Sequence, residues 1–348
     1  MKRITAIALA FILLAASVFM AGFGKKKPVL TLYTWMGMFP EEILEAYTRE
    51  TGTEINYVSF DTDEAMLAKL EAAEGGDYDL VIADDYIVET VIQEGLAQKL
   101  DISKLENYTS LNPVFMSEYY DPENEYTVPY GAGIMEFAYY PEKTGFAIKA
   151  YEDLWNPALE GRVGIIANPR VIIGMALKCL GYSFNTTDEA QIREAGELLY
   201  KLAPNIRLIK DDYINDDLLS GEIDAAFCYT SNATIAKLTD PAVEIALPAE
   251  GLGYGVMPMF IPAKAPNAEA AYQFIDFINR PENAALCFEY LGYYCTNADA
   301  EALISDEIRS MVTLPENTTN DREMIENIPG EIYDVHEEIW NTFKNLCS

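Results

Sequence analysis

The chain has 348 residues, half of them apolar, which is enough for two domains with cores of their own. It carries 24 basic against 56 acidic residues, a formal charge of -32. Nucleic acid, which needs a basic face, is excluded as a partner, and an anionic membrane surface is disfavoured.

Lys2 and Arg3 precede an apolar run over 4–23, closed by Gly24 and three lysines. Residues 1–27 therefore read as an export signal or, because the run is long, as an N-terminal membrane anchor. Met20-Ala-Gly-Phe23 has the form of a lipoprotein cleavage box with Phe23 in the place of the cysteine, so no lipid can attach there. From Pro28 onward short apolar strands alternate with amphipathic helices. The spacing predicts a strand over 29–33, a helix over 41–51 stopped by Gly52, a strand over 55–60 and a helix over 64–73. A strand over 80–83 and a helix over 87–95 complete a βαβαβ pattern, which argues for a parallel, doubly wound sheet.

Ligands of such sheets bind just past the carboxyl ends of the strands. Thr34, Trp35, Met36 and Gly37 stand at the end of the first strand, and Asp84, Asp85 and Tyr86 follow the third at once. Two acids and aromatic rings suit a cation with an apolar body. An alkylammonium over a ring gains roughly 0.5–2 kcal/mol, and its methylenes gain about 0.8 kcal/mol each on burial. Carboxylates add charge-assisted hydrogen bonds.

Residues 126–130 are extended, and Gly131 and Gly133 beyond them mark a crossing to a second lobe. That lobe reads as strands over 164–167, 207–210, 225–229 and 242–247, with helices over 171–180, 189–202, 216–220 and 232–238. A flexible turn over 251–255 and a strand over 257–261 lead back, followed by helices over 269–279, 282–289 and 332–346. The expected lobes are 28–134 with 258–300, and 135–257 with 301–348, hinged near Gly133 and Gly255. The triplet Gly251-x-Gly-x-Gly255 opens no helix and fails as a phosphate loop. There is no nucleophile elbow, and the lone histidine, His336, reads as a solvated residue of the last helix. Five cysteines without a CxxC make a zinc site improbable, and no cofactor is implied. Cys287 and Cys295 could pair in an exported protein.

Several short motifs recur in order: Leu32-Tyr-Thr-Trp35, Tyr78-Asp-Leu-Val81, Gln98-Lys-Leu-Asp101, Val128-Pro-Tyr130, Trp155-Asn-Pro, Glu160-Gly-Arg162, Leu180-Gly-Tyr, Asn185-Thr-Thr-Asp, Ile261-Pro-Ala, Leu291-Gly-Tyr293 and Thr296-Asn297. Over roughly 30–343 the chain resembles the substrate-binding subunits of bacterial spermidine/putrescine ABC transporters. The resemblance implies an α/β, two-lobed periplasmic-binding-protein fold of the type II kind, with a small-molecule ligand in the interlobe cleft. It also implies a non-enzymatic, extracytoplasmic monomer, a polyamine as that ligand and the permease subunits of an importer as partners. Trp35 matches a tryptophan that flanks the ligand, Tyr86 a tyrosine of the same aromatic box, and Tyr293 a polar aromatic contact. Tyr229 stands where tryptophan is frequent, Met38 replaces a tyrosine, and Asp84 replaces a serine.

The departures concern charge. Asn168, Val171 and Met257 stand where the family has amine-binding acids, and Gly255 replaces a stacking tryptophan. Glu326 falls near a ligand-binding glutamine. Asp84, Asp85 and Glu136 are the acids left to supply negative charge from new positions. The expected site is thus Trp35, Met36, Met38, Asp84, Asp85, Tyr86, Glu136, Asn168, Tyr229, Met257 and Tyr293. A different small organic solute, or an exported hydrolase, are the alternatives.

Overall fold

The computed structural model describes residues 27–210, 213–313 and 322–348, so nearly all of the expected export segment lies outside the described residues. In the first lobe β1 (Val29–Thr34) runs parallel between β2 (Glu54–Ser59) and β3 (Leu80–Ile82). All three residues of β3 are buried, as expected of a parallel strand covered on both faces. Helices Glu41–Thr51 and Ala268–Ile278 pack on one side of this sheet, and helices Asp63–Ala72 and Asp85–Gln93 on the other. The first of them stops at Gly52, whose φ of 72° is the left-handed conformation a helix end favours.

The second lobe repeats the plan. Here β5 (Val163–Ile165) lies parallel between β6 (Ile206–Ile209) and β7 (Ala225–Tyr229). Helices Pro169–Cys179 and Glu189–Tyr200 bury Ile172, Ile173, Ile192 and Leu199 in a single core.

Two strands join the lobes. The long β4 (Thr127–Tyr139) pairs antiparallel with β9 (Leu252–Phe260) through Ile134, then with β7 from Met135 onward. In turn β9 pairs with β3, giving the order β2-β1-β3-β9-β4-β7-β5-β6. A short β8 (Glu244–Ala246) joins the second-lobe end of β4, and β10 (Arg322–Met324) pairs with β9.

The expected turn over 251–255 is instead the start of β9. Its glycines mark close approach rather than flexibility. A Cβ on Gly253 would stand 2.9 Å from the Phe184 ring, and one on Gly255 would stand 3.3 Å from the Asp85 carboxylate. Gly133 and Gly255 are direct cross-strand partners.

The C-terminal stretch also departs from expectation. Helix Gly330–Leu346 packs on the second lobe through Val335, Ile339, Trp340 and Phe343. However, β10 before it belongs to the first-lobe sheet, and helices Ala298–Glu301 and Asp306–Val312 pack near Ala284, Ala285 and Phe288. The chain thus crosses between lobes a third time after Met324, and helix Asp306–Val312 packs both on the first-lobe helix Pro281–Leu291 and on the second-lobe helix Thr230–Thr239. His336 is fully buried rather than solvated, because the 3.6-residue period places it on the apolar stripe with Ile339 and Trp340. Burial lowers its pKa to about 4, which keeps the ring neutral. All five cysteines are free, Cys287 and Cys295 included.

Glu136 on β4 is 1% exposed. One carboxyl oxygen lies 3.5 Å from the Tyr294 hydroxyl, and the other has no hydrogen-bond partner among the described residues. Burial raises its pKa well above the carboxylate range, so the group is held as the neutral acid. A carboxyl with a raised folded pKa favours the fold while protonated, and that advantage is lost as pH rises from its ordinary value through the folded one. Glu136→Gln removes the loss. The variant should exceed the parent in urea-denaturation stability at pH 8 by more than about 1 kcal/mol, and the difference should vanish near about pH 4.

Candidate functional site

A cavity of about 590 Å³ opens between the lobes. One wall is 61–64 and Tyr86, the opposite wall is 167–170, and the third crossing, 325–328 with Tyr333, closes the side. The walls follow the carboxyl ends of β2, β3 and β5, where open α/β sheets place ligands.

Acids dominate the first-lobe wall. Thr62 caps helix Asp63–Ala72, its hydroxyl accepting from the Ala65 amide at 3.2 Å. The helix therefore begins at Asp63, and the Asp63 carboxyl is not needed as the cap. Asp63 is 5% exposed, and its Oδ1 accepts from the Asp84 amide at 3.2 Å, which ties the ends of β2 and β3 together. Asp84 is half-buried at the start of helix Asp85–Gln93, and its side chain makes no capping bond. Asp85 is spent on backbone: Oδ1 accepts from the Tyr86 amide at 2.7 Å and Oδ2 from the Val256 amide of β9 at 2.8 Å. It braces the helix start against the crossing strand. The Tyr86 hydroxyl donates to Glu64 at 3.1 Å.

Among the described residues none of Asp63, Glu64, Asp84 and Asp85 forms an ion pair. Burial first, and repulsion by Asp84 second, lift Asp63 to about 8. Burial and the neighbouring Asp85 lift Asp84 to about 7. Burial lifts Asp85 to about 7 against the pull of its two amide bonds.

The loop after β1 is pinned by a residue the sequence did not single out. The Tyr57 hydroxyl donates to the Trp35 carbonyl and accepts from the Met38 amide at 3.3 Å. Trp35 is half-buried and packs on Phe60, ring centroids 5.0 Å apart. Met36 is 76% exposed, whereas Met38 is buried in the first-lobe core, its carbonyl accepting from the Tyr130 hydroxyl at 2.6 Å. Met257 is also core: its methyl lies 3.0 Å from where a Gly131 Cβ would stand, next to Tyr293.

The second-lobe wall carries no carboxylate. Asn168 caps helix Pro169–Cys179 by accepting from the Val171 amide at 3.2 Å, and its amide group donates to the Tyr229 hydroxyl at 3.4 Å. The ends of β5 and β7 thereby bring two expected site residues together. Val171 is 3% exposed and faces core. Arg170 faces the acids across the cavity, but its guanidinium holds the third crossing in place. It donates to the carbonyls of Phe184 at 3.1 Å and Glu326 at 3.0 Å and to Asn185 Oδ1 at 3.2 Å, and lies 3.3 Å from His336 Nε2.

Of the expected residues, Tyr86 and Asn168 line the cavity, and Asp84 and Tyr229 bond directly to cavity residues. Glu136 meets Tyr294, and Met38 and Met257 lie in the core beneath. Asp63, Glu64, Arg170 and Tyr333 were missed. The signal for the first two was the polar run Asp61-Thr-Asp-Glu64 directly after a strand. Among the described residues no cluster of His, Cys, Asp and Glu could hold a metal ion.

The family of bacterial extracellular solute-binding proteins matches residues 42–316. The spermidine/putrescine-binding periplasmic protein of Salmonella typhimurium is 34% identical over 90% of this chain and 91% of its own length. A putrescine-binding periplasmic protein of Pseudomonas aeruginosa is 31% identical over 89% of each chain. The crystal structure of the spermidine/putrescine ABC transporter substrate-binding protein of Streptococcus pneumoniae has a TM-score of 0.85 at 28% identity, covering 92% of this chain and 100% of that one. The fold described above thus matches that solved structure along its whole length, and the chain belongs to the bacterial extracellular solute-binding proteins, a family of binders and not of enzymes.

Proposed function

We propose that the protein captures a polyamine, spermidine or putrescine, in the interlobe cavity and hands it to the permease subunits of an ABC importer. The observation that carries this reading is the first-lobe wall: buried and half-buried carboxyls with no cation of their own among the described residues, beside the Tyr86 ring. A buried charge needs a partner, and a linear ammonium ligand supplies one while burying its methylenes between rings. The relatives named for spermidine and putrescine favour the same ligand class. Capture takes place outside the cytoplasm, with 1–27 as a cleaved signal or a retained anchor, and the protein acts as a monomer without nucleic acid. Among the described residues no helix is long and apolar enough to cross a membrane.

In this reading Trp35, Tyr86, Tyr229 and Tyr293 form the aromatic surround, with Met36 at the rim and Asn168 as a neutral hydrogen-bonding contact. Asp84 is a ligand-facing acid, while Asp85 and Glu136 act through the fold. The lobes, 28–134 with 258–300 and most of 135–257, rotate about the paired glycines Gly133 and Gly255. A different small organic solute is the second reading, and the second-lobe wall without a carboxylate is what favours it. Native mass spectrometry of protein purified without unfolding separates the two by the mass of any retained ligand.

Closure follows from contacts that only the closed state makes. Small-angle scattering should show the radius of gyration falling on saturation with spermidine; an unchanged value sinks the hinge. Trp35→Ala should weaken spermidine binding by about 2 kcal/mol through lost stacking and burial. Unfolding stability should drop by less, because the ring is only half packed. Calorimetric titration beside a thermal melt checks both, and normal binding by the variant moves the site away from β1.

A further inference from the structure

Asp63 lines the cavity, Asp84 adjoins it through the bond from its amide to the Asp63 carboxyl, and neither carboxyl has a cation among the described residues. Thr62, not Asp63, caps the helix that Asp63 begins, and Asp84 makes no capping bond with its side chain. Contact through the Asp84 amide brings the two carboxyls onto each other in a place where the described residues offer neither an ion pair. The surrounding groups do not neutralise them. Glu64 lies on the same helix and Asp85 beside Asp84, both acids. Tyr86 points its hydroxyl at Glu64. Across the cavity, Glu326 and Tyr333 line the third crossing. Among the described residues Arg170 is the one cation on the lining, and its terminal nitrogens are occupied by Phe184, Glu326, Asn185 and His336.

We infer that Asp63, together with Asp84, seats an ammonium group of the ligand, and that the pair gives up the proton it shares when that group arrives. The inference rests on the amine reading above and adds to it a residue and a proton. The step balances: an ammonium ion meets one carboxylic acid and one carboxylate, two carboxylates remain bound to the ammonium, and one proton leaves to solvent. Two adjacent buried carboxyls cannot both stay ionised in the empty cavity. Burial lifts both above the usual range, which places the exchange near neutral pH. The pair also explains how this chain manages without acids at Asn168, Val171 and Met257. The counter-charge sits on the first lobe, and it is switched on by the ligand.

The test is calorimetric titration of spermidine and putrescine into the full chain at about pH 6 and about pH 8, each in two buffers of different ionisation enthalpy. The parent should release about one proton per ligand near neutrality and lose roughly tenfold in affinity for each pH unit below about 7. Asp63→Asn, an isosteric change, should bind about tenfold or more weakly at pH 8, release no proton and lose the pH dependence. A thermal melt shows whether it folds, and Asp84→Asn carries the same expectation if it does not. A variant with parental affinity and proton release overturns this proposal and leaves the amine reading standing. A parent that binds neither amine overturns both.

Discussion

The antiparallel pairing of β4 with β9 is the constraint on which the rest of the molecule depends. Both strands run past the edge of one sheet into the neighbourhood of the other, so their register sets where the lobes face each other. Side chains would crowd that junction. Gly131, Gly253 and Gly255 leave it bare, and Met257, Phe184 and Asp85 fill the space their missing Cβ atoms leave. The bond from the Val256 amide to Asp85 then locks the start of a first-lobe helix onto the crossing strand. That helix start carries Asp84 and Tyr86, so cavity wall and hinge are one construction.

The electrostatics follow from the same burial. Helix starts ordinarily favour an anion, and both Asp63 and Asp84 lie at one. The raised pKa values mean that desolvation and mutual repulsion outweigh the helix ends. The empty cavity is thus less negative than its residue list suggests, and a formal charge of -32 overstates the field inside it. Arg170 adds to this. Its guanidinium is used to fasten the third crossing to the second lobe, so it closes the cavity without cancelling the acids.

Periodicity made the individual elements legible. The helix 41–51 was read to the residue because Ile43, Leu44 and Tyr47 share a face and Gly52 ends it, and strand 225–229 was read whole because it is a short apolar run. What periodicity could not convey was distance between residues far apart in the chain. Glycines close together read as a turn, when their cause was Phe184 and Asp85, which come from elsewhere in the chain. His336 read as solvated because its burial depends on which stripe of the last helix meets the second lobe. Near the cavity, the strand-end rule singled out Tyr86, which lines it, and Asp84, whose amide bonds to the lining Asp63. It missed Asp63, because the predicted helix began one residue late and left that acid in a loop. Tyr57 was invisible for a related reason: an alternating strand gives no hint that one hydroxyl will hold the loop after β1. The three-residue β10 is too short for any pattern to register, and with it the third crossing went unseen.

A cleft with acids on one wall and no carboxylate on the other divides the work of binding. Under the proposed function, the first lobe meets the cation while the cavity is still open. Its exposed acids attract across solvent over about 8 Å at physiological ionic strength. The second lobe has no carboxylate to add, and the guanidinium of its Arg170 is fastened to the third crossing. Its contribution comes on closure, when Asn168 and the Tyr229 ring approach and water leaves, and each remaining charge interaction strengthens as the local dielectric falls. An open-state contact of this kind gives modest affinity and fast capture. Closure over this lid then adds selectivity by shape, since a ligand with a bulky far end finds nothing on that wall to repay its lost hydration.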